Sequence, residues 1–241
     1  MASTATNELR NPLRDRLLIT LTFAAGVADA VSFLGLGAIF TANMTGNTVF
    51  LALAIGQGDL LLAARSAVAL LGFALGAVGA GRILGAAKAA GTWPMRVTLA
   101  LCIELTLLSG FALGWLLTGG NPAGIALYPL IGLSALAMGI QSASARHLAA
   151  PGIGTTTVVT TSLTGLMAEF AALGISGSEA KRWTATILAL FSGAAIGGTL
   201  METVRLASPW LTTATVAAVC AVALSRFRTR SSKSGRPMAS R

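Results

Sequence analysis

The stretch IFTANMTGNTVF, residues 39 to 50, gathers Thr41, Asn43, Thr45, Asn47 and Thr48 around Gly46. Amide and hydroxyl groups at this density can replace the hydration shell of a small polar solute or an ion. Upstream, inside an apolar run, stands Asp29, whose carboxyl can carry a proton or neutralise a cation. A second stretch, TTTVVTTSLTG from Thr155 to Gly165, repeats the hydroxyl chemistry with Thr157, Thr160 and Thr164, and Gln141 adds another amide. If 41–48 is helical, Asn43 and Asn47 share one face and Thr41, Thr45 and Thr48 another. Gly46 would then let a solute or a neighbouring helix approach the backbone.

Other chemistry is thinly supplied. His147 is the single histidine, and Cys102 and Cys220 lie in apolar segments at no metal-ligand spacing. There is no Ser-His-Asp order and no pair of acids at catalytic spacing, so the sequence reads as neither an enzyme nor a cofactor or metal protein. Glu104 and Glu169 read equally well as acids reaching an interface and as substrate contacts. Asn121-Pro122-Ala123 occurs once, between the halves, and reads as a turn.

The elements that must position these groups are membrane spans. Of 241 residues, 54% are hydrophobic and only 10% charged, with mean hydropathy +0.77. A soluble domain carries about a quarter charged residues, so most of this surface must face lipid. The net charge of +9 collects at the ends and in short loops without interleaved aromatics, which excludes a nucleic-acid groove and fits anionic lipid. An apolar run of about 20 residues crosses a bilayer, and six segments approach that: about 17–37, 66–88, 97–118, 123–145, 184–203 and 209–225. Two more, about 41–57 and 155–173, are short or rich in threonine. If both enter and leave on one side, fifteen of the seventeen Lys and Arg face the cytoplasm, and only Arg65 and Arg205 lie outside.

The expected fold is therefore an all-α polytopic membrane protein, six spans plus two re-entrant or broken segments. GVADA (26–30) echoes GIQSA (139–143), and LGFALG (71–76) echoes SGAAIG (192–197). With three spans in each half, this gives two inverted repeats, about 17–118 and 123–225. A cytoplasmic segment 1–16 precedes them, and a basic tail, 226–241, reads as disordered on anionic lipid. On the 17–37 boundaries Asp29 falls near mid-membrane. The GxxxG pairs Gly72/Gly76 and Gly193/Gly197 predict close helix crossings, between the repeats or in a homodimer.

GVADAVSFLGLGAIFTANMTGNTVF, GIQSASARH and TTTVVTTSLTGL, in this order, resemble the YoaK family of bacterial inner-membrane proteins over roughly Arg16 to Arg226. The resemblance implies a multipass protein and maps the family's aspartate and TGN element onto Asp29, Thr45, Gly46 and Asn47. Where members of that family often carry Gln-Asn, this chain has Gln141-Ser142, so the second amide is missing. Inverted repeats with polar interruptions are the mark of secondary transporters. The functional expectation is thus a transporter or channel for a small solute or ion, with the bilayer as its partner. The alternative is a structural or accessory membrane protein whose Asn and Thr are interhelical glue.

Overall fold

The computed structural model describes residues 12–85, 93–148, 160, 162–167 and 177–233. Among them are six long helices and one short one: α1 (Pro12–Gly35), the short α2 (Met44–Gln57), α3 (Leu60–Leu84), α4 (Met95–Leu117), α5 (Leu127–His147), α6 (Gly177–Thr203) and α7 (Ser208–Lys233). All but α2 are long and apolar enough to cross a bilayer. The six expected spans are present, all but α5 with earlier starts. Pro12 opens α1, where its missing N–H is no loss. Asp59 caps α3 by accepting from the Leu61 and Leu62 amides. The tail expected to be disordered is helical as far as Lys233.

Side-chain ties fix which helix ends lie together. At one end an Arg14 Nη1–H donates to the Leu148 carbonyl at 3.5 Å, Arg182 pairs with Asp15 at 3.7 Å, and Trp93 stacks on Phe227. At the other, Trp115 donates to the Arg205 carbonyl and Arg205 to that of Gly120, while the Arg65 side chain lies beside Gly37. The first end gathers Arg14, Arg82, Arg96, Arg146 and Arg182; the second holds Arg65 and Arg205.

The spans pack in two crossed pairs, α1 against α6 and α3 against α5, joined by α4 against α5 and α7. Glycine makes the crossings close. A Cβ on Gly26 would overlap the Leu190 carbonyl of α6, and one on Gly193 the Phe23 carbonyl of α1. Likewise Gly139 meets the Phe73 carbonyl of α3, and Gly76 the Leu136 carbonyl of α5. The GxxxG glycines are thus used inside one chain. α1 and α5 are the most enclosed helices, and α3 the most open.

The short helix α2 has 14 residues, about 21 Å at 1.5 Å per residue, against a hydrocarbon core of about 30 Å. It leans on α3, and its outward Val49, Leu53 and Ile55 suit lipid. The second polar stretch lies mostly outside the described residues, Thr157 and Glu169 included; within it 162–167 is helical.

Candidate functional site

After α1 ends at Gly35 the chain reverses through Gly37 (φ 84°) and Ala38 (φ 62°), both left-handed. The reversal carries Thr41 to Asn43 back alongside α1, where Asp29 meets them. One oxygen, Oδ1, accepts from the amides of Thr41 (3.0 Å), Ala42 (2.7 Å) and Asn43 (3.3 Å). These N–H groups precede α2, and its own first turn is capped by the Asn43 side chain, which accepts from Gly46 N at 3.3 Å. A carboxylate at a helix N-terminus also complements the helix dipole. Asp29 lies six residues before the end of α1, about 9 Å. This places it nearer the Arg65/Arg205 end than the expected midplane, because α1 starts earlier than 17.

Asn47 is fully buried and reads the backbone of Phe40 from both sides. Its Nδ2 donates to the Phe40 carbonyl at 2.6 Å, and its Oδ1 accepts from the Phe40 amide at 2.9 Å. Thr41, also fully buried, receives a hydrogen bond from Ser134 of α5 at 3.0 Å between hydroxyls. The loop is thereby tied to α1, to α2 and to the second half of the chain.

The helical reading of 41–48 is corrected at its start. The helix begins at Met44, so Thr41 lies in the loop and Asn43 at the cap rather than on a shared face with Asn47. Gly46 is approached by an aromatic ring of its own loop rather than by a helix. A Cβ there would stand 2.9 Å from the Phe40 ring, which lies across the first turn of α2 and stacks between Phe33 and Phe50. Thr45 is exposed, and Thr48 donates back to the Met44 carbonyl within its own helix.

Gln141 is separate from this cluster. Its Nε2 donates to the Leu21 carbonyl of α1 at 3.0 Å, while its Oε1 is buried without a partner. Thr160 and Thr164 are exposed, and Ser162 between them is fully buried with an unpartnered hydroxyl. Ser134 and Phe40 escape the sequence reading, because neither stands out until the loop folds back. Glu104 reaches no interface: it is fully buried.

No solved structure matches the chain. Over 157 residues it is 40% identical to the UPF0700 transmembrane protein YoaK of Bacillus subtilis (strain 168), a match covering 65% of this chain and 67% of that protein. Residues 17–223 match the family described as protein of unknown function (DUF1275), and this transmembrane chain belongs to that family.

Proposed function

We propose that the chain is a small-solute secondary transporter or channel of the bacterial cytoplasmic membrane, with Asp29 and the first turn of α2 at its polar centre. The observation that carries the reading is the interrupted helix: α2 starts inside the bundle, and three amides ahead of it converge on one carboxylate. Non-helical backbone at membrane depth persists where protein encloses it or a water-filled cavity adjoins it. Broken helices set across inverted repeats are how secondary transporters form substrate sites.

The glycine crossings support the inverted repeat. Gly26 on Leu190 and Ala194 answers to Gly139 on Phe73 and Ala77, and Gly193 on Phe23 answers to Gly76 on Leu136. This equates Gly76 with Gly193, one helical turn from the alignment of the two GxxxG pairs. The collection of basic residues at one end supports cytoplasmic termini. Asp29, Thr41, Gly46 and Asn47 shape the first wall of the site, where the Asn43 carboxamide nitrogen and the Thr45 hydroxyl are left for solute. Gln141, Thr160 and Thr164 are assigned to a second wall.

A structural reading has its own support: Asp29, Thr41 and Asn47 all have protein partners, as interhelical glue would. Proteoliposomes separate the two. Under osmotic challenge with small neutral and zwitterionic solutes, a transporter gives solute-dependent volume recovery that Asp29→Asn abolishes while the protein stays folded and monodisperse. Wild-type vesicles indistinguishable from empty ones, with a lowered melting temperature in the variant, would establish the structural role.

A further inference from the structure

The buried stripe of α4 runs Val97, Leu101, Glu104, Leu108, Phe111, Trp115, every member buried and every member but one apolar. Glu104 is the exception. It is fully buried, and neither carboxyl oxygen has a hydrogen-bond partner. The spacing places it on the face that α4 turns to α5 and α7. Thr213 of α7 donates to the Leu108 carbonyl one turn away, and Gly114 of α4 packs on Leu130 of α5.

We propose that Glu104 is a proton-binding site, separate from the Asp29 loop and loaded from the basic end of the bundle. An isolated carboxylate in an apolar interior is strongly disfavoured, and a single proton removes the charge. A hard cation such as Ca2+ or Mg2+ would need about six oxygen ligands, and the described residues hold no group of three His, Cys, Asp or Glu able to hold a metal ion. Among the described residues the titratable group that faces Glu104 is the Cys220 thiol of α7, itself hydrogen-bonded to Cys102 of α4. At this depth α1, α3, α5 and α7 bring no charged residue: Arg14, Asp15, Arg82, Arg146 and Arg226 lie toward the basic end, and Asp29 of α1 lies toward the other.

Two further orphaned atoms mark the route. The Ser144 hydroxyl and the Gln141 Oε1 are buried on α5 without partners. Counted from the helix ends at His147 and Met95, Ser144 lies about 5 Å in, Gln141 about 9 Å and Glu104 about 14 Å. Buried polar groups left without protein partners are where internal water binds, and water there links Glu104 to the basic face. The proposal does not depend on solute transport; in a transporter, Glu104 would be the coupling site.

Dicyclohexylcarbodiimide tests it on the intact protein in detergent or vesicles. A protonated carboxyl adds across one N=C bond, its proton passing to nitrogen, and the O-acylisourea rearranges by O-to-N acyl transfer to a stable N-acylurea with no leaving group. The expected result is one adduct on the Glu104 peptide, absent in Glu104→Gln, whose formation falls about tenfold per pH unit above a midpoint. Wild-type protein that is folded but unmodified at Glu104 would overturn the proposal. So would a rate unchanged from mildly acidic to mildly alkaline buffer after correction for reagent hydrolysis, because that describes a permanently neutral structural acid.

Discussion

Asp29 and Asn47 solve one problem at the scale of the residue: a loop buried among the helices exposes backbone groups that water cannot reach. Asp29 takes three amides, and Asn47 takes both polar groups of Phe40. Removing either leaves the loop's groups unpaired, at about 1–2 kcal/mol for a membrane hydrogen-bond set. Asp29→Ala is therefore expected to lower the melting temperature in detergent clearly. Asp29→Asn keeps an acceptor oxygen and is expected to lose less than half as much. Equal losses would mean that the charge, and not the acceptor, holds the loop. Asn47→Ala is expected to match Asp29→Ala, because two partners are orphaned together.

At the scale of the element, close crossings depend on glycines placed against backbone carbonyls. Gly139→Ala sets a methyl into the Phe73 carbonyl, and Gly76→Ala one into that of Leu136. Each is expected to cost about 1–3 kcal/mol by overpacking, read as a lower melting temperature. Gly79 on α3 has nothing within 4 Å, so Gly79→Ala is expected to be neutral or stabilising by up to about 1 kcal/mol through helix propensity. A loss at Gly79 equal to that at Gly76 would show that α3 is sensitive everywhere and not at its crossing. The spacing of small residues made these crossings legible in the sequence. Which helix each glycine meets was not, since GxxxG serves a crossing within one chain as well as one between chains.

At the scale of the whole molecule the charge asymmetry predicts an orientation, with the basic end on the cytoplasmic side. In a background without Cys102 and Cys220, single cysteines at Arg146 and Glu202 occupy exposed positions at opposite ends. An impermeant thiol reagent is expected to label Glu202→Cys in intact cells and Arg146→Cys only after the membrane is opened. The reverse pattern would invert the topology and remove the positive-inside argument.

The class of protein was determined by composition alone, because 10% charge cannot cover a water-facing surface. The six spans followed from apolar length, and the odd status of 41–57 from polar groups set within it. Those are local properties, and one sequence window holds them. The roles within the motif are not local. Only the folded chain brings Asp29 to the amides of Thr41, Ala42 and Asn43, lays the Phe40 ring over Gly46, and sets Ser134 against Thr41. Glu104 shows the same limit: on a sequence it is one acid near a basic loop, able to reach water. Packing of α4 against α5 and α7 takes it out of bulk water, and burial depends on which helices close over a residue rather than on the residue itself.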